Sequence, residues 1–145
     1  MSAGRVTRRK PLGKVEYEKL SALRYALRRF LKFSEEAAAS VGLTPNQHQA
    51  LLAIKGFPGR DYITNGELAE RLQIKHHSAV GLANRLESQG LIIREQGDID
   101  RRTVYLRLTP RGAELLKKLA TAHHEELQAV APQLTTILES LRQEN

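Results

Sequence analysis

Residues 97 to 102 read GDIDRR and sit between two apolar runs, LIIRE (91 to 95) and TVYLRLT (103 to 109). A tight turn between strands needs glycine and aspartate; it does not need two arginines at its tip. Asp100 stands two residues before Arg102. A carboxylate at that spacing can hold a guanidinium in a forked pose and lower the entropy cost of presenting it. Arg101 beside it can reach a phosphate. The chemistry is charge-assisted binding of a polyanion, with Asp100 orienting Arg102 for a narrow, strongly negative minor groove.

A second group of residues lies just upstream, in IKHHSAVGLANRLESQG (74 to 90). Ala79, Leu82, Ala83 and Leu86 recur at steps of three and four, the core-facing stripe of a helix. The opposite face carries Ser78, Gly81, Arg85 and Ser88, with His77 and Asn84 beside it and Lys75 and His76 at its start. That face is small and rich in hydrogen-bond donors. It holds no acid, and Glu87 lies off it. Such a face suits a groove of DNA, because a carboxylate there would oppose phosphate. Lys75, His76, His77, Ser78, Gly81, Asn84 and Arg85 are the expected recognition residues, and Asp100, Arg101 and Arg102 the expected wing contacts.

Other chemistries find less support. Adjacent histidines, as in His76-His77 and His123-His124, diverge by about 100° on a helix and do not share a face, so they make poor metal pairs. Asp98 and Asp100 lack the further oxygen ligands of a calcium loop. No nucleophile–base pair and no glycine-rich phosphate loop is evident. No catalytic residue, metal or cofactor is expected, and the chain does not read as an enzyme.

Composition agrees with a polyanion partner. The 145 residues include 23 Lys and Arg against 16 Asp and Glu, a net charge of +7, with 41% hydrophobic residues and no cysteine. That is ordinary globular composition with a basic surplus. The absence of cysteine rules out disulfides and a thiol redox trigger. No apolar run approaches the length of a membrane span, and no secretory signal follows the basic start. A cytoplasmic protein is expected, with no membrane partner.

The elements that must position these groups are legible in outline. Residues 1 to 14 hold five basic residues and no acid, and read as a flexible basic arm. From Val15 to about Val41, Leu20, Leu23, Leu27, Leu31, Ala38 and Val41 mark one helical stripe, stopped by Gly42. A helix of that length spans about 39 Å, more than a small core can cover, so a partner subunit is expected on it. Thr44-Pro45 opens a second helix, and Tyr62-Ile63 is a very short extended segment. Thr64-Asn65-Gly66-Glu67 is a capping box opening a third helix. A turn over 73 to 76 leads to a fourth helix, 77 to 89, ended by Gly90. Period-two alternation in Val104, Leu106 and Leu108 makes GDIDRR the loop of an antiparallel hairpin. Thr109-Pro110 caps a helix that Pro132 is expected to break near Ala131, with a last helix following.

The expected architecture is mainly α with a small β-hairpin wing. A winged helix-turn-helix DNA-binding lobe (44–109) is flanked by long terminal dimerisation helices (15–43 and 110–145). The stretches TNGELAERLQIKHHSAV, NRLESQGLI and DIDRRTVYLRLTPRG resemble the MarR family of bacterial transcription regulators over about residues 15 to 141. The resemblance implies a homodimer, with two recognition helices on a palindromic operator in double-stranded DNA and wings in flanking minor grooves. It implies Arg102 as the wing arginine, with Asp100 as its partner, and an effector pocket between the dimer helices and the DNA-binding lobe. Relatives often place a larger polar side chain where this chain has Gly81, so base contacts are expected to shift to His77 and Ser78. The functional expectation is a dimeric, sequence-specific regulator, a repressor released by a small molecule. The competing reading is a winged-helix protein-interaction module without operator specificity.

Overall fold

A computed structural model describes residues 10–143 of the chain. Residues 1 to 9, most of the stretch read as a basic arm, lie outside the described residues. Helix α1 (Lys14–Ser40) leads into α2 (Pro45–Lys55), strand β1 (Tyr62–Ile63), α3 (Asn65–Leu72) and α4 (His76–Ser88). Strands β2 (Ile92–Gln96) and β3 (Val104–Leu108) follow, and α5 (Pro110–Arg142) closes the chain. The fold is mainly helical, with a small antiparallel sheet forming the wing.

Local chemistry sets most boundaries. Thr44 caps α2 through a bond from the Gln47 amide at 3.2 Å, and the Gln47 side chain returns to the Thr44 amide at 3.0 Å. Thr64 and Glu67 repeat this reciprocal arrangement at the start of α3. Each box satisfies two backbone donors that a helix start would otherwise leave open. Helix α4 ends in a left-handed Gly90 (φ 74). The amide of Leu91 then bonds back to the Leu86 carbonyl at 3.0 Å, and both leucines are buried. This closure turns the chain straight from α4 into the sheet.

The sheet order is β1-β3-β2, antiparallel throughout. Tyr62 pairs with Arg107 and Ile63 with Leu106, so the short segment before α3 becomes the third strand of the wing. Ile92 pairs with Leu108 and Gln96 with Val104, which places residues 97 to 103 at the hairpin tip. The core lies beneath this sheet and between α2, α3, α4 and the start of α5. Leu51, Ile54, Ile63, Leu68, Leu86, Ile92 and Leu106 are its largest fully buried side chains. Each contributes about 2–3 kcal/mol by burial alone.

Two expectations need correcting. Helix α4 begins at His76, one residue earlier than the sequence suggested, with Lys75 as its N-cap. More substantially, Pro132 does not break the last helix: α5 runs for 33 residues with Pro132 inside it. Proline removes one intrahelical donor and crowds one carbonyl, at a cost of about 3 kcal/mol, yet its φ is already helical. The segment beyond it is held against α1, where Lys19 Nζ donates to the Ser140 carbonyl at 3.0 Å. Tertiary packing outweighs the local penalty.

Helix α1 buries only part of its stripe within the protomer, with Ala38 fully buried in the core. Leu20, Leu27 and Leu31 stay 42–57% exposed, as do Leu127 and Leu138 on α5. Among the described residues no helix is long and apolar enough to cross a membrane.

Candidate nucleic-acid interface

Helix α4 is seated by Ala79, Leu82, Ala83 and Leu86, all buried, as their spacing requires. That seating turns His77, Gly81, Asn84 and Ser88 outward, with Ser78 and Arg85 along one flank. Lys75, His76, His77, Ser78, Asn84 and Arg85 are all exposed. A Cβ added at Gly81 would meet nothing within 4 Å, so the outward face is open at its middle. Unlike α2, α3 and α5, helix α4 has no side-chain cap at its start. Its first-turn amides therefore point outward, at the positive end of the helix dipole, where an anion is favoured. The left-handed Gln73 (φ 54) makes the turn that swings α4 away from α3.

The two flanks of α4 differ. On the Ser78 and Arg85 side, the N-terminus of α2 (Thr44, Pro45, Asn46, Gln47) completes a shallow depression. Gln47 Nε2 ties this side to Gln89 Oε1 at 3.3 Å. On the other side stands Arg94 of β2. Its guanidinium donates to Asn84 Oδ1 and lies 3.7 Å from Glu87 Oε2. The sequence did not single out Arg94. It sits in an apolar run, and its partners lie in another element.

The wing tip has the geometry expected of it. Gly97 donates its amide to the Thr103 carbonyl at 2.8 Å, and Thr103 donates to the Asp100 carbonyl at 3.0 Å. A side chain at Gly97 would stand 2.8 Å from that same Asp100 oxygen, so the tight closure admits only glycine without a shift. Asp100 Oδ1 accepts from the Arg102 amide at 3.0 Å and from Arg102 Nε at 3.2 Å, while Arg102 Nη2 is 3.5 Å from Oδ2. The bond from the Arg102 amide, then that from the guanidinium, holds the Asp100 carboxyl below its ordinary pKa. Arg102 remains 93% exposed although its head is oriented. Arg101 is exposed beside it, and so is Ile99, fully.

The base of the wing is braced separately. Arg107 of β3 pairs with Asp61 at 2.7 Å and Glu95 at 3.2 Å, and its guanidinium lies 4.9 Å from the centre of the Tyr62 ring. These bonds tie three strands together below the tip. His123, half of a sequence pair considered for metal binding, turns inward instead, 2.8 Å from Ser34 Oγ. Among the described residues no group of three or more His, Cys, Asp or Glu could hold a metal ion.

Comparison with known proteins places this arrangement. The profile of the MarR family matches residues 41–103, the stretch from α2 through the wing tip. The chain is 31% identical over 93 residues to a protein named as a transcriptional regulator for the hcr operon of Thauera aromatica. That match covers 64% of this chain and 54% of the other, so it spans about half of that relative's length. It is 30% identical over 115 residues to the organic hydroperoxide resistance transcriptional regulator of Bacillus subtilis, covering 72% of this chain and 76% of that one. In fold it is similar to a mutant of Staphylococcus aureus MepR bound to an oligodeoxyribonucleotide, with a TM-score of 0.66 at 23% identity. That superposition covers 86% of this chain and 97% of MepR. With this much of a regulator's length aligned, and a wing and helix pair of this form, the chain belongs to the MarR family.

Proposed function

We propose that this chain is a homodimeric, sequence-specific DNA-binding transcriptional regulator, a repressor that a small-molecule effector releases from a palindromic operator in the cytoplasm. One observation carries the reading. The acid-free outward face of α4 stands beside a wing whose Arg102 is pre-oriented by Asp100 while remaining exposed. A helix of that character suits a major groove, and an oriented arginine beside it suits the adjoining minor groove. Lys75, His76, His77, Ser78, Gly81, Asn84 and Arg85 would face the major groove. Arg101 would reach phosphate, and Arg102, held by Asp100, the minor groove. The net charge of +7 supports a polyanion partner, and MepR, similar in fold, has been captured with an oligodeoxyribonucleotide.

The dimer is supported by the uncovered leucines of α1 and α5. Residues 15–43 and 110–145 would form the dimerisation region and 44–109 the DNA-binding lobe. Half-sites one helical turn apart require recognition helices about 34 Å apart. A ligand that favoured a differently spaced dimer by about 1.4 kcal/mol would lower occupancy tenfold. A depression between α5 and α2 of the DNA-binding lobe, walled by Leu52, Lys55, Leu116, Lys117 and Ala120, supports such a ligand.

The test is a salt titration of binding to the DNA upstream of the protein's own gene, against a scrambled fragment of equal length. Tighter binding to the upstream fragment, falling steeply as salt rises, is expected. Equal, weak binding to both fragments at every salt concentration would count against an operator there and favour a protein-interaction module.

A further inference from the structure

The side-chain amide of Asn84 has two unlike ends, and the end that faces outward decides what it can read. Arg94 makes that choice. A guanidinium carries five donors, no acceptor and a permanent charge, so only the oxygen of the amide can face it. Arg94 donates to Asn84 Oδ1 from strand β2. Its own position is restrained, since its side chain is only 33% exposed and its Nε lies 3.7 Å from Glu87 Oε2. Glu87 is the one acid on α4. The same contact therefore anchors Arg94 and offsets the carboxylate nearest the outward face.

We propose that Arg94 is a positioning residue for sequence reading: it fixes Asn84 with its Nδ2 hydrogens outward, as a donor. This rests on the reading of α4 as the helix that enters the major groove. A donor at that point accepts guanine (O6 and N7), adenine (N7) or thymine (O4), and rejects cytosine, which presents its N4 hydrogens there. Asn84 free of Arg94 could rotate its amide and tolerate any of the four bases. Asn84 lies on the outward face with His77 and Gly81, so its reading adds one position to those near the helix start. Arg94 itself needs no contact with DNA to impose it.

The experiment uses the full chain and a duplex selected by the wild type from a random-sequence pool. Each base pair is then replaced by the other three, and binding is measured for wild type, Asn84→Ala, Arg94→Ala, Arg94→Lys and Asn84→Asp. For wild type, cytosine at one symmetry-related position should weaken binding about three- to tenfold, the worth of one hydrogen bond. Asn84→Ala should flatten the preference at that position alone. Arg94→Ala should flatten the same position, with the other positions and the salt slope unchanged. Arg94→Lys, which still donates to Oδ1, should retain the preference. Asn84→Asp keeps a partner for Arg94 but offers only acceptors, and should shift the preference towards cytosine. If Arg94→Ala fails to fold, Arg94→Gln carries the test: its amide can face either end of Asn84, so it too should flatten that position.

An Arg94→Ala protein that keeps the full discrimination against cytosine at the position Asn84→Ala flattens, whatever its overall affinity, would overturn the positioning role. So would an Asn84→Asp protein with no gain for cytosine. In those cases binding that still depends on Arg102 leaves the DNA-binding reading standing. A wild-type protein that selects no sequence from the pool overturns that reading and this proposal together.

Discussion

The imidazoles of His48 and His123 stand 4.8 Å apart where helices α1, α2 and α5 meet. His123 Nδ1 faces the Leu119 carbonyl at 2.7 Å, so it carries the hydrogen, and Nε2 is 2.8 Å from Ser34 Oγ. Phe30 and Phe33 of α1 close over His123 with their rings crossed against it. His48 is 2% exposed. The pair thus joins α2 to both long terminal helices in a site with little room for charge.

Burial, and then the neighbouring His123, push the His48 pKa below its ordinary 6.5. Of the side chains packed around the pair, Ser34, Phe30 and Phe33 do not titrate. Above about pH 6.5 His48 is neutral folded and unfolded, and its contribution is fully present. Below that value the unfolded chain takes up a proton more readily than the folded one, so stability falls as pH falls through the lowered folded pKa. Glu67 acts in a lower window. Burial raises its pKa, but bonds from Thr64 and Arg60 outweigh that and leave it below 4.5. Melting curves between pH 7.5 and 5.5 should show a declining midpoint in wild type and a shallower decline in His48→Gln. Parallel declines would remove His48 as the cause.

At the wing, the predicted losses are ordered. Arg102→Ala should weaken operator binding by about 1–3 kcal/mol. Asp100→Ala should cost less, about 0.5–1.5 kcal/mol, because the arginine remains but is no longer held. Asp100→Asn keeps an acceptor for the Arg102 amide and should fall between wild type and Asp100→Ala. Competition binding on one operator duplex resolves the three. Asp100→Ala equal to wild type would mean that the carboxylate serves only the turn.

What could be read from the chain was what interacts locally. Thr64 and Glu67 are three residues apart, and Asp100 and Arg102 two, so capping box and wing fork were both visible in the sequence. The buried stripe of α4 was equally plain, since it follows from helical period alone. Arg94 and Asn84 are ten residues apart in different elements, and Ser34 and His123 are 89 apart. No local pattern announces such pairs. Tyr62-Ile63 was legible as a short extended segment, but its place as the third strand of the wing was not, because its partners lie in β3. Pro132 misled in the opposite direction. Its local cost was real, but the Lys19–Ser140 contact and the packing of α5 on α1 could be seen only in three dimensions.

The exposed leucines of α1 give a prediction about assembly. Leu27 and Leu31 are one turn apart and 42% and 57% exposed, so charges placed there should leave the protomer's own core untouched. Leu27→Glu with Leu31→Glu should yield a monomer by light scattering at micromolar concentration, with the helical circular dichroism retained. A mass unchanged from a wild-type dimer would move the interface elsewhere.

Gly81 is the last residue whose role can be separated by substitution. It lies inside α4, where glycine is less favourable than alanine by about 0.5–1 kcal/mol, and a Cβ there would meet nothing within 4 Å. On folding grounds alone Gly81→Ala should raise the melting midpoint by about 2–4 °C. The destabilising glycine is accounted for if DNA approaches the helix backbone closely at that point. A methyl group would then hold the groove away from His77 and Asn84, its neighbours on the outward face. The expected outcome is therefore a more stable protein that binds its operator several-fold more weakly. A gain in stability with unchanged affinity would show that the groove leaves room at Gly81, and base contacts would then belong to the ends of the helix.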